Sequence, residues 1–184
     1  MQLTTSLLAA TALFSGLAAA HGNVTSPPAR LPGPAMAKAC GATALTAAQS
    51  DLTGPIENIQ VVGCDAFLCR GAQLADNTAN VQRFFAGQVV DFSIILPIPH
   101  EGPANVSVLD PSTNTIIGDP LIEFATYADE KLAVLPANNT AFSVTIPEGL
   151  ENTCAKAGDC VLQWFWLGTA AKQTYESCVD FVIG

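Results

Sequence analysis

The stretch QVVDFSIIL, Gln88–Leu96, decides the fold class. Val90, Phe92, Ile94 and Leu96 alternate with Asp91 and Ser93, the period of two that a half-buried strand requires. Working outward from it, ANVSVLD (104–110) sets Val106 and Val108 on one face and Asn105 and Ser107 on the other. AFSVTIP (141–147) repeats the pattern with Phe142, Val144 and Ile146 inward and Ser143 and Thr145 outward. CVLQWFW (160–166) and YESCVDFVI (175–183) are further runs of strand composition. The turns PHEGP, DPSTNT and PANNT separate these short strands, which predicts an antiparallel β-sandwich. Before them, Asn23–Gly63 is rich in Pro, Gly, Ala and Thr, and reads as a long irregular segment with a short helix at 34–40 or 44–50.

Residues 1–20, MQLTTSLLAATALFSGLAAA, read as a secretion signal. The run from Leu7 to Leu17 is apolar and uncharged, and Ala18 and Ala20 sit where a signal peptidase requires small residues. The run is too short to cross a bilayer comfortably. Cleavage after Ala20 leaves residues 21–184 as a single catalytic-sized domain. With no linker, binding module or apolar tail before Gly184, the expectation is an extracellular, untethered monomer.

The net charge of −9 disfavours phosphate backbones and anionic membranes as partners but not a neutral polysaccharide. Six cysteines behind a secretion signal imply disulfides rather than zinc thiolates. Six cysteines allow fifteen pairings. Locality favours Cys64–Cys69 in CDAFLC and Cys154–Cys160 in CAKAGDC, which leaves Cys40 with Cys178. Three sequons, at Asn23, Asn105 and Asn138, are candidate glycosylation sites, Asn138 foremost because it lies in a polar turn.

Cleavage after Ala20 makes His21 the first residue, and the only other histidine is His100. An N-terminal histidine offers its α-amine and ring Nδ1 as a chelating pair. A second imidazole completes three nitrogens in a tetragonal arrangement, a donor set that selects copper(II). Against this stand two plainer readings, His21 as an ordinary surface terminus and His100 as a turn residue held by a backbone hydrogen bond.

HGNVTSPPAR (21–30), PHEGPANVSV (99–108), CVLQWFW and QTYESCVDF (173–181) together resemble the fungal lytic polysaccharide monooxygenases, most closely auxiliary-activity family sixteen. The resemblance runs from His21 to Phe181. It implies an immunoglobulin/fibronectin-like sandwich with long loops and short helices, one copper ion, an external electron donor, and oxidative cleavage of insoluble polysaccharide, chiefly cellulose at C1. By this resemblance His21 and His100 hold the metal, Tyr175 is the weak axial aromatic, and Gln163 is the amide that related enzymes place beside the oxidant. The chain departs from the pattern at Ile98, where a small residue is usual. Non-catalytic copper-uptake proteins share the N-terminal histidine and the sandwich, and are the main alternative. A glycoside hydrolase would need a carboxylate pair across the scissile bond, and no motif pairs Glu101, Glu123 or Asp180. A pure carbohydrate-binding module would be expected to carry more aromatic residues than the 7% found here.

Overall fold

The computed structural model describes residues 21–184, so the signal expected over 1–20 lies outside the described residues. Strand β1 (His21–Ser26) leads into two helices, α1 (Pro34–Cys40) and α2 (Ala42–Ser50), and then into a series of single 3-10 turns. Strands β2 (Gln82–Phe84), β3 (Val89–Ile98), β4 (Gly102–Asp110), β5 (Thr115–Ile116), β6 (Ile122–Tyr127), β7 (Ala141–Thr145), β8 (Cys160–Gly168) and β9 (Gln173–Ile183) follow. They form a three-stranded sheet, β1-β3-β7, and a six-stranded sheet, β2-β9-β8-β4-β5, with β6 also paired to β4. All pairings are antiparallel except β2 with β9. This is the expected sandwich, immunoglobulin/fibronectin-like in class.

Alternation places the core between the sheets. Val90, Phe92 and Ile94 of β3 are buried, as are Phe142 and Val144 of β7. They face Val106, Val108, Leu162, Trp164, Trp166, Val179 and Phe181 of the larger sheet, in one continuous apolar cluster. A helix forms at each of the two alternative positions, the second beginning at Ala42. Pro34 opens α1 at its first turn, where no N–H is needed. Asp76 accepts from Ala35 N at 2.9 Å and Met36 N at 3.0 Å, supplying from 40 residues away the cap that Gly33 lacks.

The sandwich departs from the simple pattern on the outer face of the larger sheet. Ser107, expected outward and wet, is buried there, beneath the 3-10 turns between α2 and β2. Disulfides anchor that covering layer, and two of the three pairings differ from the locality argument. Cys154–Cys160 forms as expected, but Cys40 pairs with Cys64 and Cys69 with Cys178. The chain returns to the end of α1 at Val62, whose N–H reaches Cys40 O at 3.0 Å, and this brings Cys64 to Cys40. It then crosses to the sheet, where Cys69 lies over Cys178 in a small buried cluster with Leu109 and Val161. Cys64 and Cys69 are close in sequence but serve opposite sides of that crossing.

Peptide mapping without reductant should recover the Cys40–Cys64, Cys69–Cys178 and Cys154–Cys160 peptides. The Cys69–Cys178 bridge spans 109 residues and Cys154–Cys160 spans 6. Loop-closure entropy then makes Cys69→Ala/Cys178→Ala cost roughly 4–5 kcal/mol and Cys154→Ala/Cys160→Ala about 2 kcal/mol in denaturant titration.

Candidate metal centre at the mature N-terminus

His21 opens β1 and pairs antiparallel with Ile98, two residues before His100. Strand register therefore brings both histidines to the same end of the smaller sheet. His100 is only 9% exposed. A Cβ on Gly168, the last residue of β8, would lie 3.3 Å from the His100 Cβ, so the β8–β9 end closes over that ring. Gly102 fixes this approach. A side chain there would meet the Leu167 carbonyl oxygen at 1.8 Å, so only glycine lets β4 start this close to β8.

Each ring has one nitrogen facing an oxygen. His21 Nε2 lies 2.7 Å from Asp51 Oδ2. A carboxylate there holds the hydrogen on Nε2 and puts the lone pair on Nδ1, the nitrogen nearer the His21 backbone. His100 Nδ1 faces the Pro99 carbonyl, which by the same reasoning directs the lone pair to Nε2. These are the tautomers that a metal between the two rings requires. Among the described residues no cluster of three or more His, Cys, Asp and Glu that could hold a metal ion assembles, so the two imidazoles are the donors that side chains offer here. Imidazole nitrogens suit copper among other transition metals.

Asp51 is a candidate site residue, through its contact with His21, that the sequence reading did not identify. Its Oδ1 accepts from Thr53 N at 3.0 Å and Thr53 Oγ1 at 2.8 Å, while Thr53 O accepts from Gly22 N at 2.8 Å. The Asp51–Thr53 turn thus grips His21 through its ring and through the amide that follows it. Burial opposes the charge on Asp51, but the hydrogen bonds from Thr53 and the neighbouring His21 outweigh it and hold the carboxyl below the usual range. The available signal was DLT directly after a helix, an acid placed to turn the chain on itself.

Arg70 holds that turn from below, donating through Nη1 to Leu52 O at 2.6 Å and through Nη2 to Asp51 O at 3.1 Å. Cys69 and Arg70 both adopt left-handed backbone, φ 55° and 54°, unusual for residues with side chains. Burial pushes the Glu176 carboxyl up to about 8, against the pull of the Arg70 and Cys69 backbone N–H groups. Burial likewise lowers Arg70, opposed by the charges of Asp51 and Glu176.

Tyr175 is fully buried on the inner face of β9, stacked on Trp166 with centroids 4.5 Å apart. Burial raises its phenol, and the nearby carboxylates Glu57 and Asp51 add to the rise. A Cβ on Gly22 would lie 3.0 Å from Trp164 Cη2 and 3.2 Å from Trp166 Cζ3. Tyr175 is therefore one ring removed from the strand that carries His21.

Gln163 is not brought to the histidines. It stands on the outer face of β8, opposite Ser107 and Cys178, because Trp164 and Trp166 take the inner positions. Five residues of strand, roughly 16 Å, separate it from Gly168 beside His100. The amide found at the site is Gln173, paired with Gly168 and accepting the Tyr175 hydroxyl at 2.9 Å. Its signal was QTY, which puts Gln173 and Tyr175 on one face two residues apart.

Of the candidate glycan sites, Asn23 has its Oδ1 engaged by Ser177 Oγ at 2.6 Å, Asn138 is exposed, and Asn105 is half-buried. The carboxylates weighed for hydrolysis are dispersed. Asp180 is buried in a bidentate pair with Arg30 at 2.7 Å, and Glu101 pairs with Lys131 at the surface.

No curated protein matches the chain. Among solved structures, a chitin binding domain from Burkholderia pseudomallei has a TM-score of 0.50 at 16% identity, covering 90% of this chain and 100% of its own. A Jonesia denitrificans lytic polysaccharide monooxygenase scores 0.46 at 17% identity, covering 89% and 100%. A Thermobia domestica AA15 lytic polysaccharide monooxygenase in the Cu(I) state scores 0.45 at 19% identity, covering 89% and 98%. At this identity the first likeness speaks to the fold. The family model described as lytic polysaccharide mono-oxygenase, cellulose-degrading, matches residues 21–181, beginning on the histidine that Asp51 orients, and the chain belongs to that family.

Proposed function

We propose that the chain is secreted, loses residues 1–20, and acts as a monomeric copper enzyme that oxidatively cleaves insoluble polysaccharide using an external electron donor. Cellulose, oxidised at C1, is the substrate we infer, in keeping with the family's description. The finer placement in auxiliary-activity family sixteen, with a fungal source, rests on the motifs quoted above. The observation that carries the reading is the pairing of His21 with Ile98, which sets His100 beside the mature terminus with both rings turned by oxygen partners.

His21, through its amine and Nδ1, and His100, through Nε2, would hold one copper ion. When bound, copper supplies the one-electron chemistry that oxidises the sugar carbon next to the glycosidic bond. The chain's own residues prepare the site. Asp51 holds the His21 tautomer, Thr53 fixes the strand behind it, and the Gly168 end of β8 fixes His100. Tyr175, fully buried and bonded to Gln173, closes the inner side. Ile98, 39% exposed beside His21, narrows the approach from the β3 side and would tune which chains can lie across the end of the sandwich. A site at the end of a rigid sandwich suits a solid substrate, which cannot be threaded into a cleft.

His100→Ala should abolish tight copper binding and activity together. A variant with one extra residue before His21 should bind copper(II) far more weakly, because the chelating amine is displaced. Asp51→Ala should lower copper affinity roughly 10–100-fold, the usual effect of losing the partner that orients a metal-bound histidine. Isothermal titration with copper(II) reads all three. Copper-loaded protein incubated with cellulose, chitin and xylan, plus ascorbate and peroxide, should release C1-oxidised oligosaccharides from cellulose, detected by mass spectrometry. Copper bound at His21 and His100 with no oxidised sugar from any of these would establish the non-catalytic copper-binding alternative instead.

A further inference from the structure

The outer face of β8 carries an open groove of about 350 Å³, on the side of the sheet opposite the aromatic core. Its apolar walls are Phe67, Phe165 and Ile116, and Asn105 and Gln163 lie among them. Phe67 is 50% exposed and Ile116 is also exposed, so this is apolar surface left in water. Asn105 and Phe165 are direct cross-strand partners on β4 and β8. Their side chains stand side by side on one face, with Cβ atoms roughly 5 Å apart.

Asn105 begins the sequon Asn105-Val106-Ser107. Its Oδ1 accepts from Ser107 Oγ at 3.2 Å, a bond that does not engage the Nδ2 to which a sugar attaches. Asn23 stands in a tighter place: the pocket it lines with Arg70 and Glu176 has only about 20 Å³, against about 350 Å³ for the groove at Asn105. Asn138 is exposed on the turn Ala137–Asn139, away from the groove.

We propose that Asn105 carries an N-linked glycan whose first sugars lie in this groove, their apolar faces against Phe165 and Phe67. The proposal rests on the secretion reading above, since only an exported chain meets the glycosylating machinery. In the transfer, an Nδ2–C1 bond forms as the C1–O bond of a sugar pyrophosphate donor breaks. The pyrophosphate leaves with the electron pair, the Nδ2 proton is lost, and nothing is oxidised or reduced. The sugar is neutral, which suits a chain of net charge −9. Its ring faces cover apolar surface, while its hydroxyl and N-acetyl groups find the Gln163 amide alongside.

The test is protein secreted from a eukaryotic host, with its N-terminus sequenced and its glycopeptides mapped. The expected result is His21 as first residue, a glycan on Asn105 and none on Asn23. Asn105→Gln and Phe67→Ala should each lower Tm by roughly 2–4 °C, the shift of one ordinary contact at this size. The double variant should fall no further than either alone, because both remove the same contact, and Asn138→Gln should leave Tm unchanged. Secreted protein that begins at His21 with Asn105 unmodified overturns this proposal and leaves the secretion reading standing. Failure of the host to export the chain with His21 at its terminus overturns both. Additive Tm losses, or a groove that binds added chitobiose in the wild-type secreted protein, would show that the Asn105 sugar is not seated there.

Discussion

The Cys69–Cys178 bond is the constraint on which the histidine end of the molecule hangs. It fixes a two-residue left-handed turn against the outer face of β9, and that turn aims Arg70 at the carbonyls of Asp51 and Leu52. The carbonyls belong to the turn whose carboxylate orients His21 and whose Thr53 oxygen holds Gly22. Each link is short, and each connects elements far apart in sequence. A left-handed pair of non-glycine residues is costly, of order 1–3 kcal/mol each, and persists only where surrounding contacts over-determine it. Here the disulfide on one side and the two Arg70 hydrogen bonds on the other do so. Rigidity at a metal centre is built this way, from partners that hold the ligands and not from the ligands themselves.

On the opposite side of β9 the same end is closed by aromatic rings. Tyr127, Trp164, Trp166 and Tyr175 form one contiguous group with centroid separations from 4.5 to 6.2 Å. Both tryptophans are fully buried, and the burial of two such large rings contributes strongly to this end of the core. Gly22 is the complement to this bulk. Because it has no side chain, β1 can lie directly on Trp164 and Trp166, and His21 is set down at a height determined by ring thickness.

The strands were legible because their inner face is apolar and their outer face, at β3 and β7, is wet. Val90-Phe92-Ile94 and Phe142-Val144-Ile146 announce themselves. β8 and β9 were legible as strands but not as to face, since the covering turns bury both sides and remove the alternation. That is why Gln163 and Gln173 could be exchanged: each is an amide on a strand near an aromatic, and only register tells which side it takes. The histidines were legible from scarcity and position. Asp51 was not, because what makes it important is a contact between residues thirty apart across two helices, and nothing local in DLTG distinguishes it from any turn-forming acid. Cys154–Cys160 was legible from locality, but the other two pairings failed for the same reason in reverse, with Cys64 and Cys69, near neighbours in sequence, sent to different layers.

The terminus itself imposes an order on assembly. While residues 1–20 precede it, the His21 nitrogen is an amide whose lone pair is delocalised into the preceding carbonyl, and it is no donor for a metal. The two imidazoles are by contrast set by contacts within 21–184: Asp51, the Pro99 carbonyl and the β8 end are all present in the folded domain regardless of what precedes it. On the proposed reading, folding therefore prepares two of the three nitrogens and proteolysis supplies the third. Since the amine and Nδ1 of one residue chelate together, losing the amine would also remove the geometric advantage of Nδ1 and leave two separate imidazoles. On that reading such a pair would hold copper far less tightly than the chelate, and tight metal binding would belong to the exported, trimmed protein and not to its precursor.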